Sequence, residues 1–304
     1  MIKGIIAPNL TFFKENGSMD EDKCRWHMDW VLSSGVDGLF VTGTYGSGYL
    51  MNLDERVKMY EMAKEVSDKY PGTFVIAHVG CSDTGSSVYL TRAAERCGAS
   101  AVSAIAPYNY KYTEDELLNY YSEIARASGI PVFAYNNPEI TGSALSYKLI
   151  TRLEAAGIAG LKDSSVNIGL FTSIYNSCKV NNSEFKYISG TTTGWLTFQK
   201  MGADTMIAGM CNYLPEAVEA LYRYSLTDPE KAIKVYEICS GLSSKIKQGN
   251  SVASSHIALK ARGFDPGYTR LPLTVSYEDK MEKISVISRY ITGALSEISS
   301  LEAK

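Results

Sequence analysis

Apolar and polar positions follow one recurring figure along this chain: an amphipathic stretch, a glycine, then a short apolar run. It appears as SGVDGLFV, CGASAVSAIA, SGIPVFAY, AGIAGLKD and MGADTMIAG. Glycine at that point fits the left-handed position just past a helix end, which is open to a residue without Cβ. The runs that follow are short and rich in Val, Ile, Phe and Ala, as strands covered on both faces are. The stretches before them carry the helical period. Leu117, Tyr120, Tyr121 and Ile124 stand at i, i+3, i+4 and i+7, as do Met59, Met62, Ala63 and Val66. Leu90, Ala93, Ala94 and Cys97 repeat the spacing. Thr113 with Glu116 reads as a capping box, and Ser18 with Glu21 offers another.

On this pattern strands fall near 4–10, 38–42, 73–79, 99–107, 131–136, 158–163, 185–190 and 205–209, each followed by a helix. Eight such units suit a closed parallel barrel better than a doubly wound sheet, which shows fewer strands. From Pro229 the alternation stops, and 229–248, 251–262 and 277–300 all read as helices. The expected organisation is α/β: a (β/α)8 TIM barrel over 1–226 carrying the active site, and a C-terminal three-helix appendage over 227–304 packed on it.

Composition removes several function classes. With a net charge of −3 there is no basic footprint for nucleic acid and no polybasic membrane patch. No apolar run approaches the roughly 18 residues of a membrane span. The opening MIKGIIAPNLTFF is broken by Gly4, Pro8 and Asn9 and reads as a first strand rather than a signal sequence. Six scattered cysteines without a C-x-x-C pair are expected as buried thiols of a cytoplasmic protein. His27, His78 and His256 lie far apart and lack metal-ligand spacing, and His78 inside FVIAHVG reads as a core residue.

In such a barrel, chemistry gathers where strands end. That rule selects VTGTYGSG with Thr44 and Tyr45, APYNY with Tyr108 and Asn109, AYNNP with Tyr135, LKDSS with Lys162 and Ser164, and SGTTTG with Gly190. An ordinary lysine is neutral in only about 1 molecule in 2,500 at pH 7. Burial at the barrel mouth disfavours the ammonium ion, so Lys162 there can act as an amine nucleophile and form a Schiff base with a ketone. The competing reading pairs Lys162 with a carboxylate at the strand end. Tyr135 ends the preceding strand, close enough to move a proton. Gly43, Gly46 and Gly48 can offer backbone N–H groups to a small anion or simply make a tight loop. They match neither G-x-G-x-x-G nor Walker A, so nucleotide binding is not expected.

Together, GTYGSGYLMNLDERV, FAYNNPEITG, AGLKDSS and ALKARGFDPGYTRLPL resemble the dihydrodipicolinate synthase / N-acetylneuraminate lyase family of class I pyruvate lyases over essentially the whole chain. The resemblance implies that Lys162 forms an imine with a 2-oxo acid and that Tyr135 shuttles the proton. It assigns the substrate carboxylate to the backbone of Thr44 and Tyr45, with a hydroxyl in the relay. Gly190 and Ile207 match positions lining the pyruvate pocket. No metal, nucleotide or other cofactor is implied, and the family is commonly a homotetramer built from dimers.

Departures bear on the substrate. The arginine that the synthases carry two residues after the motif proline is Ile140 here. The Pro-Tyr-Tyr segment, whose second tyrosine enters a neighbouring subunit's site, reads Pro107-Tyr108-Asn109, and Tyr110 serves only through a one-residue shift. The usual hydroxyl and Glu are Tyr45 and Ser47, and the acidic pair of sialic acid lyases is replaced within Thr191–Thr193. The expectation is a class I aldolase or lyase acting on pyruvate or a small, hydroxyl-rich 2-keto-3-deoxy acid. The alternatives are dihydrodipicolinate synthase, a Schiff-base sugar-acid dehydratase, or a non-catalytic 2-oxo-acid-binding barrel.

Overall fold

A computed structural model describes residues 2–247 and 249–303. Its strands are β1 (Gly4–Ala7), β2 (Gly38–Val41), β3 (Phe74–His78), β4 (Ala101–Ile105), β5 (Val132–Asn136), β6 (Gly160–Asp163), β7 (Lys186–Ser189) and β8 (Thr205–Ile207). They close into a parallel barrel in chain order, the (β/α)8 architecture expected. Helices α1 (Glu21–Ser33), α2 (Leu53–Ser67), α3 (Thr84–Arg96) and α4 (Glu114–Arg126) follow the first four strands in turn. Next come α5 (Pro138–Thr141), α6 (Tyr147–Ala155), α7 (Ile168–Asn181), α8 (Trp195–Lys200) and α9 (Pro215–Thr227). The chain then runs through α10 (Pro229–Ile246), α11 (Ser251–Ala261) and α12 (Met281–Glu302). The last of these starts later than the sequence suggested, because Glu278–Lys280 wind as a separate 3-10 turn.

Backbone contacts divide the chain into two units. One comprises the residues up to Gly4, Met51–Glu65 and Phe74–Ile207, and so holds β3–β8 with α3–α8. The other comprises Ile5–Leu50, Val66–Thr73 and the chain from Ala208 on, and so holds β2 with α1 and α9–α12. In this second unit Ile6 pairs with Gly38, and Phe12 packs against the rings of His27 and His256 at 5.1 and 5.7 Å.

Local signals mostly hold. Gly35, Gly98, Gly157 and Gly202 end their helices at φ between 81° and 112°. Gly129 is not among the positive-φ glycines, and its amide instead donates to Glu95 Oε2 at 3.1 Å. The Thr113–Glu116 capping box is formed. The Ser18–Glu21 box is not: α1 starts at Glu21, so a residue three positions after Ser18 is the first of the helix rather than its third. Asp20 caps instead, accepting from Lys23 N at 3.2 Å, while Ser18 donates to Asn16. All six cysteines are free, with Cys24, Cys81, Cys211 and Cys239 buried. Among the described residues no helix is long and apolar enough to cross a membrane.

Strand register places the chemistry. Tyr135, Lys162 and Ile188 stand side by side across β5, β6 and β7, and Asn136, Asp163 and Ser189 form the next row. Side chains alternate along a strand, so these rows face opposite sides. Tyr187, on the Asp163 side, packs against Phe171 of α7 with ring centroids 4.7 Å apart. That row therefore faces the helices, and the Lys162 row faces the barrel interior.

Candidate active site

Lys162 is 4% exposed, and its Nζ lies 3.2 Å from the centroid of the Tyr135 ring. The strand approaches Phe133 closely because Gly160, at its start, has no side chain: a Cβ there would meet the Phe133 ring at 2.6 Å. Burial pulls the Lys162 ammonium below its ordinary range, opposed by Tyr135 and Asp163. The amine is thereby brought toward the neutral, nucleophilic form.

Tyr135 is equally buried. Burial pushes its phenol up, but the charge of Lys162 and hydrogen bonds from Lys162, Ser164 and Asn137 outweigh this, leaving it below the ordinary range. Asn137 Nδ2 donates to the phenol oxygen at 2.9 Å. His78 meets the Tyr135 ring edge-on at 6.1 Å. His78 itself is fully buried, in keeping with its place in the apolar run FVIAHVG, with Ile105 N at 3.3 Å from its Nε2 and Arg56 Nη2 at 3.3 Å from its Nδ1. Arg56 also donates to the carbonyls of His78 and Gly80 at 2.6 and 3.1 Å.

Behind Lys162 lies a network that the sequence reading missed. The Asp163 carboxylate accepts from Asn136 Nδ2 at 2.8 Å, Ser165 N at 3.0 Å, Ser165 Oγ at 2.9 Å and Tyr187 OH at 3.0 Å. Four donors hold a buried charge and pin the end of β6. Ser165 is a local partner two residues on, whereas Asn136 and Tyr187 lie 27 and 24 positions away and only the strand register reveals them.

The loops after β6 and β7 touch. Ser164 Oγ occupies the place a Cβ at Gly190 would take, and that Cβ would also lie 2.8 Å from the Asp163 carbonyl oxygen. Val166 adopts φ 55°, an outlying value for a β-branched residue, and packs toward Gly194. Thr191 accepts from Thr193 N through Oγ1 at 3.1 Å. Ile207 is buried at the end of β8. After β4 the three candidates separate: Tyr108 is half-buried, whereas Asn109, at φ 82°, is exposed and turns Tyr110 out to 75% exposure. Ile140 on α5 is 40% exposed.

Thr44 and Tyr45 belong to the other unit, on the turn after β2. Thr44 Oγ1 is buried with no hydrogen-bond partner among the described residues. The Tyr45 phenol lies over Gly209, filling the space a side chain there would need. The glycines of this turn have a packing reason. A Cβ at Gly46 would be 3.0 Å from Asn9 O and Thr42 N, and Gly48 N donates to Gly43 O at 3.1 Å.

The site thus sets a buried lysine on the sixth strand of a closed (β/α)8 barrel, with its amine over the ring of a tyrosine on the fifth. The chain belongs to the Dihydrodipicolinate synthetase family, whose sequence profile matches residues 1–290. It is 33% identical to a probable 2-dehydro-3-deoxy-D-pentonate aldolase of Escherichia coli over 72% of this chain and 73% of that protein. Among solved structures it resembles a 2-keto-3-deoxygluconate aldolase variant of Sulfolobus solfataricus (TM-score 0.86, 24% identity, 98% of each chain). It also resembles YagE, a family member from E. coli solved with pyruvate (TM-score 0.88, 22% identity, 97% of this chain and 99% of that one).

Proposed function

We propose that this chain is a class I lyase that binds pyruvate or a 2-keto-3-deoxy acid as an imine of Lys162 and breaks or makes the adjacent carbon–carbon bond. The supporting observation is the position of Lys162, 4% exposed and 3.2 Å from the centre of the Tyr135 ring. The neutral amine adds to the C2 ketone, and the carbinolamine hydroxyl leaves as water with the proton of the Tyr135 phenol, which gives a protonated imine and a phenolate. The protonated imine then draws electrons from C3. In cleavage, the Tyr135 phenolate takes the proton of the C4 hydroxyl, the C3–C4 bond breaks, and an aldehyde leaves an enamine. Protonation at C3 and hydrolysis release pyruvate and free Lys162. Sequence resemblance alone assigns the substrate carboxylate to the backbone of Thr44 and Tyr45. Ser164, Gly190 and Ile207 are assigned to the substrate, with the threonines after Gly190 favouring a hydroxylated tail. Ile140 in place of the synthases' arginine argues against aspartate semialdehyde as the partner.

The test is to incubate the protein with pyruvate, reduce with borohydride and measure intact mass, alongside Lys162→Ala. A reduced pyruvyl adduct in the parent and none in the variant supports the reading. No adduct in the parent overturns it. Release of pyruvate from a panel of 2-keto-3-deoxy acids then identifies the substrate. The resemblance further supports a cytoplasmic homotetramer, a dimer of dimers, which light scattering checks. It also supports chemistry without a metal or other cofactor, so activity is expected to survive chelation.

A further inference from the structure

We propose that Asn137 is a positioning residue for Tyr135: its amide holds the phenol oxygen as an acceptor, so that Tyr135 serves as the base in proton transfer. Two observations carry this. First, Asn137 Nδ2 donates to Tyr135 OH at 2.9 Å. An amide nitrogen can only donate, so the phenol oxygen accepts there and its own hydrogen points away from Asn137. Once that hydrogen has been given up, the same contact stabilises the phenolate.

Second, Asn137 is the N-cap of α5, yet its side chain caps no backbone N–H. Asn is among the residues most favoured for capping. Every other Asp, Asn, Ser or Thr recorded as the N-cap of a described helix accepts from the backbone: Asp20, Asp83, Thr113, Ser146, Asn167, Asp228 and Asn250. Asn137 forgoes the cap and turns to Tyr135 instead. Local helix stability would favour the opposite choice.

The inference rests on the imine reading, and its test separates the two. Its own proton having left with the water of imine formation, the Tyr135 phenolate removes a proton from C3 of the protonated pyruvyl imine; the electron pair moves to the imine nitrogen and gives the enamine. In heavy water, return of a deuteron labels the pyruvate methyl group, which NMR follows. Borohydride trapping reports the imine separately. Asn137→Leu keeps the size and removes the donor, and about tenfold slower exchange is expected with trapping near the parent's level. Asn137→Asp keeps the shape and remains a good N-cap but faces Tyr135 with an acceptor, so exchange should slow on the order of 100-fold. Asp therefore distinguishes donation from capping, and it carries the test alone should the Leu variant not fold. Parental exchange in a folded Asp variant, or trapping lost in step with exchange, overturns the role of Asn137 alone. Absence of any adduct in the parent protein overturns both readings.

Discussion

Lys162 and Asp163 are chain neighbours of opposite charge that β6 turns to opposite faces: the amine lies over Tyr135, and the carboxylate is taken up by Asn136, Ser165 and Tyr187. The arrangement bears on the competing reading of Lys162 as one half of a strand-end ion pair. Asp163 acts on Lys162 only through its field, raising the amine's proton affinity against the larger effect of burial. Its oxygens are committed to four donors on the helix-facing side.

Asp163→Asn should therefore move the amine. Loss of the negative charge lets the ammonium of Lys162 fall further, so the acid limb of pyruvate trapping shifts to lower pH. The new amide also places a donor among donors, which should cost about 1–3 kcal/mol of stability. Trapping as a function of pH, together with urea unfolding, measures both. An acid limb that stays in place would mean that Asp163 is only a structural anchor.

Gly190 is closed to any side chain. A Cβ there would overlap Ser164 Oγ and approach the Asp163 carbonyl oxygen to 2.8 Å and its carbon to 3.1 Å. Gly190→Ala should destabilise by about 1–3 kcal/mol and lower kcat/KM for pyruvate-yielding substrates. Adding Ser164→Gly removes the hydroxyl but not the backbone clash, so stability should recover only in part. Full recovery would show that the hydroxyl alone sets the fit.

Tyr45 and Gly209 form a matched pair. The phenol occupies the volume a Gly209 side chain would need, with Cε1 of Tyr45 2.9 Å from the nearest Cβ position. Gly209→Ala alone should cost about 1–3 kcal/mol. In a Tyr45→Thr background the same change should cost less, a coupling of about 1 kcal/mol or more in a double-mutant cycle of unfolding free energies. Additive costs would mean that the tyrosine moves aside freely.

What was legible in the sequence is what is local or periodic. The order of strands and helices follows from apolar runs and left-handed glycines, and Lys162 and Tyr135 follow from their places at strand ends. Side-chain partnerships across strands were not legible. Asp163 reads as one more charge until β5 and β7 bring Asn136 and Tyr187 to it. Asn137 stands at the N-cap of α5 but turns its amide to Tyr135 instead of the helix, a choice no local pattern announces. Nor was the turn at Asn109, φ 82°, legible, which leaves Tyr110 exposed on this chain. The glycines after β2 read equally as an anion cradle or a tight turn, and close approaches to Asn9 and Thr42 account for their lack of side chains.

His27 and His256 set an acid limit on the fold. Burial lowers His27 from its ordinary 6.5 to about 4, and His256 to about 3. In the unfolded chain both rings take up protons once the pH falls below about 6.5, whereas in the folded chain they resist. The folded state's advantage is therefore complete above that pH and is lost as the pH falls toward 4 and then 3. His27 alone accounts for about 3 kcal/mol of that loss. Urea midpoints measured from pH 7 to 4.5 should fall for the parent and fall less steeply for His27→Gln, whose amide takes up no proton in either state. Parallel slopes would place the acid sensitivity in the carboxylates instead.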